Sequence, residues 1–301
     1  MKKGTHSYID DPRNQNILIF VKGKLLPRKD AKISVFDSGF LLGDGVWEGI
    51  RLFQNKLLFL EEHIDRLYSG ANKLSININL NKFELINLIK KTLNKNNMKT
   101  GVHIRIIISR GLKKTPYQHP NVNIGECSIV IIPEYKEANK QINEKGIHIK
   151  SVKIRRGTPN DVDPTINSLS KQNCIAACIE AHNAGADEGL MLDINGNVST
   201  CNSTNFFIIN NTGIWTSTGK YCLPGITRKT IIKLCKKNNL TIYKKNFFLI
   251  DTYSANEAFV TGTFAGIIPV RTIDNHQIGS GKIGPITKKL QELYYQEICN
   301  Y

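Results

Sequence analysis

Leu223-Pro224-Gly225-Ile226-Thr227-Arg228 runs without interruption into TRKTIIKLCKK (227–237), whose lysines between 229 and 237 fall on the solvent side of an amphipathic helix. A glycine followed by a hydroxyl residue at a helix start leaves backbone N–H groups free at the positive end of the helix dipole, a combination that seats a phosphate. Most starts of this kind are plain caps. Further on, Val260-Thr261-Gly262-Thr263-Phe264-Ala265-Gly266 sets threonines about a glycine after a β-rich run, a turn that offers successive N–H groups and hydroxyls to an anion. Either segment alone reads as ordinary structure. Two anion seats in one domain are harder to dismiss.

Around these seats the second half of the chain alternates β-rich runs at 147–154, 189–193, 205–209, 258–261 and 267–273 with helical patterns near 168–183, 227–238 and 286–299. Upstream, 17–22 with 24–27 hinged at Gly23, and 45–53 with 56–60 hinged at Gln54-Asn55, predict two antiparallel hairpins. Helical spacing follows at 60–74 and 82–96, then β-rich runs at 103–109 and 128–133, so this part is an α+β unit. The charged stretch EYKEANKQINEK (134–145) is expected as the linker between a small N-terminal domain, 1–133, and a larger one, 146–301. No internal repeat or low-complexity tract stands out.

A chain of 301 residues suffices for one or two domains around a substantial core. It has no run of about 18 apolar residues, and MKKGTHSYIDDPRNQN (1–16) has no apolar stretch behind its lysines. The sequence therefore supports neither a membrane span nor a signal peptide, and a cytoplasmic protein is expected. Seven cysteines, scattered through apolar segments, fit reduced thiols better than a disulfide framework. Cys174 and Cys178 share a helix face, but no second pair or nearby histidine completes a zinc site, so no metal is expected. The formal charge of +16 is spread along the whole chain, which argues for biased residue usage over a nucleic-acid surface while still favouring anionic ligands.

The ordered motifs DSGFLLGDGVWEGIRLF (37–53), EEHIDRL (61–67), HIRIIISRG (103–111), GADEGLMLDINGNV (185–198), NFF (205–207), LPGITR (223–228), GTFAGIIPV (262–270) and IGSGKIGPIT (278–287) resemble the class IV aminotransferases over nearly the whole chain. These are the branched-chain and D-amino-acid transaminases. The resemblance implies a pyridoxal 5′-phosphate enzyme of fold-type IV. That is an α+β architecture with a small N-terminal α/β domain and a larger β-barrel-like domain, assembled as a homodimer with its sites near the interface. It implies site residues too. Arg66, in H-x-x-R-L, is similar to the arginine that grips the cofactor phosphate, a task suited to the paired donors of a guanidinium. Ile226, Thr227, Gly262 and Thr263 match the remaining phosphate contacts.

Two positions depart from the family. Its Schiff-base lysine stands in a K-x-x-N-[YR]-L element; counted back from Glu180-Ala181, that position holds Asn167, which cannot form the bond. Lys171 falls where many relatives carry a tyrosine near the cofactor's reactive carbon. It is expected in the first turn of a helix capped by Ser168, where the positive dipole end disfavours an ammonium. Lys171 is therefore expected as the catalytic amine and acid/base, ahead of Lys150 and Lys153 on the preceding strand; a solvated helix lysine is the ordinary alternative. The second departure is Thr200, in NVSTCNSTN (197–205), where the family's E-x-x-x-x-N motif puts the glutamate that pairs with the pyridine nitrogen. A hydroxyl can hydrogen-bond that nitrogen but cannot hold it in an ion pair.

For the substrate, the resemblance sets the carboxylate against the GTFAG turn, at Phe264 and Ala265, with Arg105 as a second contact. The arginine and histidine that clamp the carboxylate in D-amino-acid transaminases fall at Thr115 and Tyr117, so branched-chain L-amino acids with 2-oxoglutarate as acceptor are the favoured pair. A lyase, a racemase or a D-amino acid transaminase of the same fold, and a non-catalytic protein that binds pyridoxal or pyridoxamine phosphate, stay open as alternatives.

Overall fold

The computed structural model describes residues 5, 10–138 and 140–301, which fall into two compact units. The smaller comprises Asp10–Glu137 together with Ile166–Lys171; the larger comprises Ala138–Thr165 and Gln172–Tyr301, and Thr5 belongs to it.

The strands of the smaller unit are β1 (Leu18–Val21), β2 (Lys24–Pro27), β3 (Gly45–Phe53), β4 (Lys56–Leu57), β5 (Val102–Ser109) and, beyond a short ribbon of β6 (Leu112–Lys113) and β7 (Asn123–Ile124), β8 (Ser128–Tyr135). Six of them form a sheet in the order β2-β1-β8-β5-β3-β4. The alternation in β5 shows why: Val102, Ile104, Ile106 and Ile108 are buried, while His103, Arg105 and Ile107 turn to the other face half-covered. Helix α1 (Ser38–Leu42) precedes β3. Helices α2 (Leu60–Lys73) and α3 (Lys82–Lys95) complete the core with Ile64, Leu67 and Ala71 and with Leu85, Ile89 and Leu93, residues on one face of each helix. Asn81 caps α3, and Glu84 reaches back to the Asn81 N–H in a capping box. The run expected as a strand to residue 60 stops at Leu57, because Phe59 takes a positive φ and turns the chain into α2.

Residues 166–171 are stitched to the start of β3. The Trp47 N–H donates to the Asn167 carbonyl and the Leu169 N–H to the Gly45 carbonyl, each at 2.9 Å. Gly45 has to be glycine, since a Cβ there would stand 2.5 Å from the Ile108 carbonyl and 2.6 Å from Leu169 Cδ1.

In the larger unit β9 (Ile147–Ser151), β10 (Glu188–Leu192), β11 (Val198–Cys201), β12 (Asn205–Asn210), β13 (Gly213–Thr216), β14 (Ile242–Lys244), β15 (Glu257–Gly262), β16 (Gly266–Ile273) and β17 (His276–Gln277) share one sheet. The order is β11-β10-β9-β16-β15-β12-β13-β14, with β17 added to β16, and β9 runs parallel to both β10 and β16. Strand β12 is buried at every position but its last, as a strand covered on both faces should be, and its Phe207 stacks on Phe259 with ring centroids 4.7 Å apart. The helices are α4 (Lys140–Lys145), α5 (Gln172–Asn183), α6 (Ile226–Lys237), α7 (Leu249–Tyr253) and α8 (Pro285–Asn300).

The stretch 134–145, expected as a linker, carries the end of β8 and helix α4. The helix expected from about 168 begins at Gln172, because the backbone at 167–169 is committed to β3; Ser168 is therefore not its cap, and Lys171 precedes its first turn. Among the described residues no helix is long and apolar enough to cross a membrane.

Candidate active site

In the larger unit the two anion seats adjoin through Asn205. This residue opens β12 in register with Thr261 of β15, and its Nδ2 donates to the Leu223 carbonyl at 3.2 Å. Gly225 lies so close that a Cβ there would stand 2.0 Å from Asn205 Oδ1, so a glycine is required for the approach. Helix α6 starts at Ile226 with Gly225 as an N-cap that offers no side-chain hydrogen bond, which leaves its first turn without a side-chain acceptor.

Arg228, third in that helix, is buried; its Nη2 donates to the Ser217 carbonyl at 2.5 Å and its Nε to Thr216 Oγ1 at 3.3 Å. Burial pulls its pKa down, and among the described residues no carboxylate forms an ion pair with it. The open start of a helix whose first turn carries a buried guanidinium without a carboxylate partner favours an anion there. Thr261 Oγ1 is buried with no hydrogen-bond partner, a spare donor beside the seat. The hairpin closes by pairing Gly262 with Gly266; Phe264 is buried at its tip and the Ala265 carbonyl accepts from Asn143 Nδ2 at 3.3 Å. Ile226, Thr227, Gly262 and Thr263 thus lie in two segments that meet at Asn205.

Thr200 and Glu188 lie nearby. The Thr200 hydroxyl donates to the Thr204 carbonyl at 2.7 Å, and the Cys201 N–H shares that acceptor at 2.9 Å. Its proton is spent on closing this turn, so the expected hydrogen bond to a ring nitrogen could only be one that Thr200 accepts. Glu188, fully buried on β10, takes hydrogen bonds from Ser203 Oγ and Thr204 Oγ1, both at 2.6 Å, and from the Thr5 hydroxyl. Burial pushes its carboxyl up to about 7 and the charge of Asp187 adds to the rise, against the pull of the donors.

In the smaller unit the organising side chain is Trp47. Arg105 of β5 lies with its guanidinium carbon 3.7 Å from the indole centroid, and Lys171 Nζ lies 5.9 Å from the same ring. Burial lowers the Arg105 pKa, opposed by the carboxylates of Glu48 and Glu134. Asn167 is 4 % exposed and its Oδ1 has no partner. Arg66, expected at the cofactor phosphate, grips the Glu48 carboxylate with Nε at 2.7 Å and Nη2 at 2.8 Å, while His63 Nδ1 approaches the same carboxylate at 2.7 Å. Burial works to raise the Glu48 pKa, but the Arg66 charge and the two sets of hydrogen bonds prevail and hold it below the ordinary value. Tyr117, at one of the two substituted clamp positions, is exposed and stacks on His119.

A family model for the amino-transferase class IV proteins matches residues 45–273. The chain belongs to the class IV aminotransferases. It is 38 % identical over 283 residues to the branched-chain-amino-acid aminotransferase-like protein 2 of Arabidopsis thaliana, covering 94 % of this chain and 50 % of that one, so it spans about half the length of this relative. To the D-alanine aminotransferase of Listeria monocytogenes it is 33 % identical, over 93 % of this chain and 96 % of the other. A branched-chain amino acid aminotransferase from T.th., solved with pyridoxamine 5′-phosphate, superposes with a TM-score of 0.88 at 28 % identity, covering 93 % of each chain. The architecture is accordingly the α+β fold-type IV, and the cofactor of this class is pyridoxal 5′-phosphate.

The seat at Gly225–Thr227, an open helix start with the unpartnered Thr261 hydroxyl on the strand that pairs with Asn205, suits the phosphate of that cofactor. Asn167, expected at the family's lysine position, is a buried amide and cannot form a Schiff base. Sequence reasoning missed Glu48, Trp47, Asn205 and Glu188. Only the first left a signal: His63 and Arg66, three apart on α2, form one face that a buried carboxylate can serve.

Proposed function

We propose that the chain is a pyridoxal-phosphate-dependent transaminase that moves the amino group of an L-amino acid, branched-chain by preference, to a 2-oxo acid such as 2-oxoglutarate. The observation that carries this reading is the uncapped start of α6, backed by the buried Arg228 and joined to the Thr263 turn through Asn205. Ile226, Thr227, Gly262 and Thr263 would hold the cofactor's phosphate, with Arg66 as the further guanidinium that the H-x-x-R-L motif assigns. Bound there, the cofactor supplies an electron-poor ring that acidifies the Cα–H of an amino acid. Lys171 would move the proton between the substrate's Cα and the cofactor's C4′ carbon, with its Nζ 5.9 Å from the centroid of the Trp47 indole. Arg105 offers a cation to the substrate's carboxylate, alongside Phe264 and Ala265. Thr200, able only to accept, leaves the ring nitrogen less firmly charged than a carboxylate would.

The branched-chain preference rests on Thr115 and Tyr117 in place of a carboxylate clamp and on the likeness to a solved branched-chain amino acid aminotransferase. Initial rates with 2-oxoglutarate should be higher for L-leucine, L-isoleucine or L-valine than for D-alanine; the reverse order defeats the preference. Borohydride reduction of the cofactor-loaded protein followed by peptide mapping should mark Lys171. A mark on Lys150, whose ammonium is paired with Asp274 at 2.8 Å, or on Lys153 would defeat the assignment of the amine.

Asn167 favours a second reading, a protein that binds the cofactor without turning over amino acids. Bound cofactor with no marked lysine, and no spectral cycling on adding amino acid and then 2-oxo acid, would establish it. The family habit also supports a homodimer, which light scattering tests, and the free cysteines suit a cytoplasmic setting.

A further inference from the structure

Arg156 is 6 % exposed, and among the described residues no carboxylate forms an ion pair with it. Its backbone N–H is spent on the Leu192 carbonyl at 2.9 Å, and its Nε is buried with no partner. The contact its guanidinium makes is to sulfur: Nη1 donates to Cys174 Sγ at 2.8 Å. A guanidinium keeps its charge at any physiological pH, and burying it without an anion costs several kcal/mol. It therefore stabilises negative charge on whatever it faces. Cys174 is the third residue of α5, a helix of twelve residues, so the open N–H groups and dipole of the helix start act on the same sulfur with the same sign.

We propose that Cys174 is a peroxide-reactive thiol, a modification site at the start of α5, with Arg156 as the positioning residue whose guanidinium donates to its sulfur. Thiols at helix starts beside arginine, partly exposed, have this reactivity, and Cys174 is half-buried. In the step, the sulfur attacks one oxygen of a hydroperoxide, the O–O bond breaks and an S–O bond forms. Sulfur is oxidised to the sulfenic state, and the departing oxygen leaves as alcohol, or as water from hydrogen peroxide, carrying the thiol's proton. Arg156 faces the sulfur before the attack and the new oxygen after it.

The other cysteines frame the claim. Burial pushes the Cys127, Cys201 and Cys235 thiols up. Cys178, one turn further along α5 and more exposed, is raised by desolvation and by the charge of Glu188. Exposure alone would make Cys178 the reactive one; the Arg156 contact reverses the order.

The test is to treat the purified cofactor-loaded protein with hydrogen peroxide, trap sulfenic acid with dimedone, and map the adducts by mass spectrometry. Cys174 should be labelled at least tenfold faster than Cys178. Arg156→Met should slow labelling of Cys174 by tenfold or more with Cys178 unchanged, and Arg156→Lys should restore most of the rate, which a packing role would not. Equal or faster labelling of Cys178, or an Arg156→Met protein that labels like the wild type, overturns the proposal. Should Arg156→Met fail to fold, the comparison of the two cysteines in the wild type decides it alone.

Discussion

Glu188→Gln isolates the titration of one buried carboxyl. In the folded protein this group sits at about 7, against an ordinary 4.5. Its folded pKa is raised, so its contribution to stability is fully present below about 4.5 and is lost as the pH rises through about 7. At 1.36 kcal/mol per unit, that loss amounts to about 3 kcal/mol between pH 4.5 and pH 8. Glutamine keeps the volume and does not ionise, and the hydroxyls of Ser203 and Thr204 can rotate, one to accept from the amide and one still to donate. Every other titrating group is common to both proteins and cancels in the difference. Urea unfolding followed by tryptophan fluorescence at pH 5, 6, 7 and 8 should show the variant near or below the wild type at pH 5 and gaining on it by about 2 to 3 kcal/mol by pH 8, with the same m-value. A difference that stays constant within about 0.5 kcal/mol across that range would mean that the folded pKa of Glu188 is not raised, and the account of its burial would be wrong.

Gly225→Ala should displace Asn205 and open the junction of the two anion seats; cofactor affinity, read from titration of its absorbance, should fall at least tenfold, and full retention would remove the seat from consideration. Glu48→Gln leaves the Arg66 guanidinium facing a neutral amide, and urea unfolding at pH 7 should show a loss of about 3 to 5 kcal/mol. Asn81→Ala removes the capping box of α3 and should cost about 1 kcal/mol in the same assay, with no effect on cofactor binding.

Elements whose pattern is local were legible in the sequence. The alternation of VHIRIIIS and the helical spacing of the 82–96 stretch gave β5 and α3 to within a residue, because binary pattern and capping residues act over one or two turns. The start of α5 was not legible. Ser168 has the chemistry of a cap, but its neighbours' backbone hydrogen bonds are taken by β3, more than a hundred residues earlier, and no local signal announces such a pairing. The same limit hid Glu188 and Arg156: whether a charged residue is buried depends on strands and helices that pack over it, not on its own segment. Arg66 stood out in its motif, yet its bidentate grip on Glu48 required knowing that β3 runs beside α2.

The segment 166–171 makes the smaller unit discontinuous along the chain, and a ribosome must synthesise it in two instalments. When residue 137 is made, β3 still lacks the strip whose backbone will accept from the Trp47 N–H and donate to the Gly45 carbonyl. The missing piece arrives only after residues 138 to 171 have been added, a wait of roughly 2 to 7 seconds at 5–20 residues per second. During that interval the β3 groups face solvent or any other extended chain, so the vulnerable period of this fold comes in mid-synthesis, and chaperone binding to the nascent chain should be concentrated there.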